Sequence, residues 1–338
     1  VQTCALPILP GASWQPSFRV RDHASTYWYH PHLHMMTNMH VTRGAAGMII
    51  VRDSTESLLN LPRTYGVDDY PLVIQSKCFD ASKQIQINNA SDSVMMVNGT
   101  INPFLNVSAQ VIRFRVLNAS SERVYQLGFQ GNLTFHQIGT DGGLLDAPVA
   151  LTRLRLAPGE RAEILVNFSG LNGQTFTLMS FASELPGAIY GATQPGMGPG
   201  QTITGYSQNP LNGADFPILQ FNVTAPTSTA VISIPSTLIT NTAWPVSSAN
   251  TTRTLTFSPV NMGPTAIQGP FLINNTSFDT HAINYSVPLN NTEIWTLTNQ
   301  SPIAHPFHIH DVQFYITEVN GAPPAANLAG RKIGRAHV

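Results

Sequence analysis

Val97-Asn-Gly-Thr100, then Pro103, then the run Val111-Ile-Arg-Phe-Arg-Val-Leu117 closed by Asn118, decides how this chain is read. Apolar and polar residues alternate along 111–117, and a period of two marks a strand with one side turned to a core. The same order of signals returns later. Ile273-Asn-Asn-Thr276 is followed by Val287-Pro288 and by a strand over 294–298 closed by Asn299. A unit that recurs in this way implies at least two domains of one fold. Around these copies, Ala45-Ala-Gly-Met-Ile-Ile-Val51, Glu163-Ile-Leu-Val-Asn-Phe168 and Val312-Gln-Phe-Tyr-Ile-Thr317 read as further strands, the second entered by the turn Ala157-Pro-Gly-Glu160. Frequent turn signals suit Greek-key β-sandwiches. Helix is expected for no more than a turn or two, around 55–61. The fold class expected is all-β.

Composition agrees. Charged residues make up 10% of the 338, while Gly and Pro each number 25, a balance of short strands and turns rather than long amphipathic helices. A formal net charge of -1, with no stripe of Arg, gives no footing for nucleic acid. No run of eighteen apolar residues occurs, so no membrane-spanning helix is expected. The two ends, Val1-Gln-Thr-Cys-Ala-Leu-Pro-Ile8 and Lys332-Ile-Gly-Arg-Ala-His-Val338, read like opposite strands of one sequencing adapter. Residues 1–8 and 332–338 are therefore set aside as artefact. Cys4 then carries no function, and Cys78 is expected to be a lone, buried and inert thiol. The remainder divides into the C-terminal part of a first sandwich (9–60), a second sandwich (61–225) and the N-terminal part of a third (226–331). The Pro- and Thr-rich stretch 224–235 is read as the linker, and a further boundary falls near 59–69.

Histidine is concentrated at opposite ends of the chain. His30, His32 and His34 lie in Trp28-Tyr-His-Pro-His-Leu-His34, and His305, His308 and His310 lie in His305-Pro-Phe-His-Ile-His310. Strand residues two apart share a side, so His30 with His32, and His308 with His310, can each face one metal cluster. His305, three positions back and before a proline, faces elsewhere and could serve a different metal. Neutral imidazole with little cysteine suits copper at least as well as zinc. The repeated strand ending at Asn118 is followed by no histidine, which makes the middle sandwich a copper-free spacer. One His-x-His pair is often incidental; two clusters beside strand-forming sequence are not.

These two motifs resemble the second and third copper motifs of multicopper oxidases, the family of laccases, bilirubin oxidases and bacterial cuprous oxidases. Gly44-Ala-Ala-Gly-Met-Ile-Ile-Val51, Asp68-Asp-Tyr-Pro-Leu-Val-Ile-Gln75, Gly139-Thr-Asp-Gly-Gly143 and Ala157-Pro-Gly-Glu-Arg161 support the likeness in the same order. The resemblance implies tandem cupredoxin-like domains. It also implies type 1, type 2 and coupled type 3 copper, and the oxidation of a phenol, aromatic amine or metal ion with dioxygen reduced to water. By position, His30, His32 and His310 would serve type 3 copper, His308 type 2 and His305 type 1. His34 is read as supporting or structural, Met35, Met36 and Met39 as packing beside the site, and His23, His40, His136 and His281 as surface or loop residues. The family's first His-x-His-Gly motif and last His-Cys-His motif fall outside the chain, so the isolated chain is expected to be nearly inactive. Met35 and Asp311 stand where many relatives have Gly. Relatives act outside the cytoplasm, so a periplasmic or secreted location is expected, and the oligomeric state stays open. The alternative is a copper-free cupredoxin-fold scaffold or assembly protein, against which every ligand position within the chain is filled. A two-domain copper nitrite reductase fits the histidine-free middle unit less well.

Overall fold

The computed structural model describes residues 11–13, 15, 17–87, 90–198, 200–310 and 312–329, together with the backbone of 334–337. Strands dominate, as the alternation predicts. Two α-helices occur among these residues, Thr37–Thr42 and Ser54–Ser57. The second lies where a helical turn was expected, and Asp53 caps it by accepting from the Glu56 amide at 2.7 Å. The first has no such signal. Its N-cap residue, Met36, makes no side-chain cap bond, so nothing in the sequence announces it.

The centre of the molecule is a two-layer sandwich. In its eight-stranded sheet, Val111–Asn118 lies between Arg161–Asn167 and Asp69–Phe79, antiparallel to the first and parallel to the second. The facing five-stranded sheet runs Leu154–Leu156, Tyr125–Phe129, Thr175–Phe181, Asp215–Thr224, Phe104–Ser108. Ile112, Phe114 and Val116 belong to the core between the layers. There Phe221 meets the rings of Phe114, Phe129 and Phe168 at 5.0, 5.8 and 6.0 Å. The intervening Arg113 and Arg115 do not reach water, being 1% and 0% exposed. Alternation here separates an apolar core from a buried ionic layer.

That layer stands between the sandwich and the residues before it. Glu163, opposite Arg115 in register, accepts from Arg113 Nε at 3.0 Å and from Arg115 Nη1 at 2.8 Å. Arg113 also reaches Glu56 at 2.6 Å, and Arg115 holds Asp69 with two bonds of 2.8 and 2.9 Å. Buried charge is tolerated only when paired in this way.

The sequence repeat is a structural repeat. In the first copy Asn98 has φ +50°, donates to the Pro71 carbonyl and accepts from the Val73 amide. In the second, Asn274 also has φ +50°, donates to Thr254 O and accepts from Thr256 N. Glu293–Asn299 runs parallel to Thr251–Pro259 as Val111–Asn118 does to Asp69–Phe79, and Phe271–Ile273 completes the C-terminal sheet. Asn118 pairs with Ile74, and Asn299 with Phe257.

The stretch 224–235, read as the linker, is tied to the sandwich. Val231 accepts from the Val111 amide at 2.7 Å, and a little further on Leu238 donates to Asp146 O at 2.8 Å and is buried against Leu61, Val111 and Leu144. Its spaced apolar residues, Val231, Ile234 and Leu238, supply the hold. The expected strand over 312–317 is reduced, among the described residues, to a single bridge at Phe314, whose ring packs on Phe307 at 6.0 Å. Cys4 and Asp311 lie outside the described residues, as do residues 1–8 and the side chains of 332–338, while the backbone of Gly334–His337 runs antiparallel to Pro306–His308. No helix among the described residues is long and apolar enough to cross a membrane.

Candidate metal centre

His30 and His32 follow directly on the strand Ser25–Tyr29, which pairs with Gly47–Val51. Pro31, lacking an N–H, sits between them and keeps the strand, already ended at Tyr29, from resuming. His308 ends the strand Pro306–His308, and His310 sits in the bend beyond it. The pairs therefore sit at or just past strand ends rather than along strands, yet each stays together. His30 and His32 rings are 4.4 Å apart, and His308 and His310 rings 4.6 Å apart.

The two pairs meet. The ring of His32 lies 4.9 Å from that of His310, edge to face. The four imidazoles thus form a row, His30, His32, His310, His308, with the Trp28 ring tilted against His30 at 4.4 Å. His30 is half-buried and the other three are exposed. Among the described residues no three His, Cys, Asp or Glu gather around one point. The row offers neighbouring pairs, not a closed single-ion cage. His30 Nδ1 lies 3.1 Å from Pro31 O, and a proton there puts the ring's lone pair on Nε2. Partial burial, then the nearby His310, push His32 below the usual imidazole range, which favours the neutral, metal-binding form.

His305 sits apart. Its ring stacks on Phe257 at 5.7 Å and meets Phe271 edge-on at 4.4 Å. Its Nε2 is 2.6 Å from Ser301 Oγ, which leaves Nδ1 to face another partner. Burial lowers its pKa. It lines a cavity of about 660 Å³ shared with Glu122, Tyr190, Ile267 and Phe271. Ser301 belongs to no expected ligand set. The signal that could have found it is the repeat: Asn299-x-Ser301 copies Asn118-x-Ser120, and the Ser120 hydroxyl lies 2.6 Å from the Tyr125 hydroxyl. Tyr125 stands in the first copy where His305 stands in the second.

Both halves of the row are seated on the central sandwich. On the C-terminal side, Ala304 donates to Ala188 O at 2.7 Å and Met197 to Pro302 O at 3.0 Å. Met35 is 86% exposed with φ +63°, a left-handed conformation that a side chain rarely adopts. Met36 and Met39 are half-buried, and the exposed His34 lies 6.1 Å from Phe278. His23 and His281 are exposed loop residues beside Asp53 and Asp279. His136 and His40 are not of that kind, since His136 lies on the strand Phe135–Thr140 and His40 on a helix, each half-buried. Cys78 is a free, half-buried thiol, raised by burial and then by Asp92 and Asp80, which suppresses its reactivity.

Sandwiches in tandem, with an imidazole row between their ends, define a class of proteins that the comparisons name. Profiles described as multicopper oxidase match residues 1–56 and 246–332. The multicopper oxidase McoA 2F4 variant from Aquifex aeolicus is 32% identical, over 95% of this chain and 68% of that one, with a TM-score of 0.77. The laccase-like multi-copper oxidase CueO of Ochrobactrum sp. is 27% identical, over 97% and 70%, with a TM-score of 0.79. Cell division protein FtsP of Photorhabdus laumondii is 34% identical over 333 residues, 97% of this chain and 65% of that protein. The chain belongs to the multicopper oxidase family, and its sandwiches are cupredoxin-like. It spans about 65% of the length of the curated relative it matches.

Proposed function

We propose that this chain is the larger part of a copper oxidoreductase that takes electrons singly from a small reducing substrate and passes them to dioxygen, forming water. The observation that carries this reading is the 4.9 Å approach of His32 to His310, from motifs at opposite ends of the chain. A donor set of neutral imidazoles fits copper. His30, His32 and His310 would hold the type 3 pair, His308 the type 2 copper and His305 the type 1 copper. Copper held there supplies one-electron redox chemistry with dioxygen as final acceptor. The chain's own residues orient and exclude. Ser301 fixes the His305 ring through Nε2, Phe257 and Phe271 cover its faces, and the adjoining cavity offers apolar walls with Glu122 and Tyr190 for an aromatic reductant. The oxidation of lignin model compounds by the Ochrobactrum enzyme supports a phenolic substrate. An extracytoplasmic location belongs to the same reading.

Cu(II) titration of the purified chain, followed by EPR, tests it. Imidazole-bound copper is expected, with His32→Ala and His310→Ala each weakening it at least about tenfold. A folded chain that takes up no copper at micromolar concentrations overturns the proposal. It would favour the second reading, a copper-free scaffold, which the cell-division name of the curated relative supports.

A further inference from the structure

The hairpin that leads into and out of the His30–His32 segment is a two-stranded sheet of its own, and its ladder joins neither layer of the sandwich. Side chains make the junction, at two places. Before the histidines, Thr26 is 0% exposed; its hydroxyl donates to Glu163 Oε1 at 2.7 Å and accepts from Arg115 Nη1 at 3.0 Å. The Thr26 carbonyl also accepts from Arg161 Nε at 3.1 Å. After them, the helix Thr37–Thr42 ends against the sandwich. Thr42 Oγ1 lies 2.8 Å from Ser121 Oγ, and the buried Lys77 ammonium donates to the Thr42 carbonyl. Neither threonine is part of a copper motif.

We infer that Thr26 and Thr42 are positioning residues, which set the place of His30 and His32 relative to His308 and His310. This rests on the copper reading above only for its consequence, since the geometry it asserts can be measured without metal. Thr26 is the sharper case. Among the described residues its hydroxyl is the one group by which the strand leading to the histidines enters the Arg115–Glu163 pair, and a ligand pair held about 1 Å loose binds its ion poorly. Removing a buried hydroxyl that merely added stability would lower the unfolding midpoint without changing where the histidines stand.

The test uses the full chain with Cys4→Ser and Cys78→Ser, spin-labelled at Leu33→Cys and Val312→Cys, two exposed positions flanking the row. Double electron–electron resonance is expected to give a narrow distance distribution, roughly doubled in width by Thr26→Val and restored by Thr26→Ser. Thr42→Val and Ser121→Ala are expected to broaden it less, since the Lys77 bond remains. In unlabelled chains, Thr26→Val is expected to weaken Cu(II) binding about tenfold and to shift the copper hyperfine splitting. An unchanged distribution in Thr26→Val overturns the inference whatever copper does. A broadened distribution in a chain that binds no copper upholds the positioning role and overturns the copper reading instead.

Discussion

Glu163 is buried, which favours the neutral acid, but Arg113 and Arg115 outweigh burial and hold its carboxyl at about 2. An unfolded glutamate titrates at about 4.3, so this group's contribution to stability is complete above that pH and is lost as pH falls through about 2. Urea midpoints measured from pH 6 to pH 2 should therefore fall in the acid window, and Glu163→Gln should flatten part of that fall. The same substitution should cost about 3–5 kcal/mol at pH 7, because it leaves buried guanidinium unpaired. A pH profile identical to wild type would reject the assignment. Met35 carries a side chain at φ +63°, where Gly is free of the Cβ clash. Met35→Gly is expected to raise stability by about 1 kcal/mol, read as a higher urea midpoint, and an unchanged or lower midpoint would reject it. At this scale the histidines were legible because their spacing is local and their chemistry specific. Ser301 and Thr26 were not. Ser301 is marked only by the repeated Asn-x-Ser, which sets a loop bend without saying that its hydroxyl meets His305, and Thr26 acts on Glu163, far along the chain.

Among the elements, the two copies of the Asn turn and following strand share the same pair of cross-strand bonds, with Asn274 adding a third to the Tyr285 hydroxyl at 2.9 Å, and this is where alternation and turn chemistry spoke most clearly. Asn98 and Asn274 each combine a left-handed backbone with a side chain that both donates and accepts across to the neighbouring strand. Asn274→Ala should cost about 2 kcal/mol by chemical denaturation, from the lost bonds and the strained backbone together. Asn274→Asp, which keeps the acceptor, should cost less, and equal losses would argue against the two-bond role. The strands Val111–Asn118, Arg161–Asn167, Gly47–Val51 and Glu293–Asn299 follow their expected runs closely. The misses have physical reasons. A strand needs a ladder as well as a pattern, and 312–317 has only a single bridge among the described residues. The helix Thr37–Thr42 lacks a cap and is held by contacts from elsewhere, Lys77 and Ser121.

For the molecule as a whole, the sandwich read as a spacer is what brings the histidine pairs together. No histidine of the row belongs to its core among the described residues, yet Phe221→Ala, which removes the ring shared by Phe114, Phe129 and Phe168, is expected to cost about 3–5 kcal/mol. Copper release and loss of intrinsic fluorescence should then shift together along a urea titration. Copper retained after the core has unfolded would show that the pairs need no such support. Tandem sandwiches were visible in the repeat, but their seating was not, because it depends on contacts such as Ala304 with Ala188 that have no sequence pattern. The strap that follows Thr224 has a consequence of its own. It is tied to the sandwich as far as Asn241, which donates to Leu144 O at 2.9 Å, and Asn250 is already tied to Thr292 at the foot of the C-terminal sheet. Residues 242–249 are the leash between. So short a tether keeps the C-terminal sheet at high local concentration over its seat, and a momentary parting there would reclose before any competitor from solution could intervene.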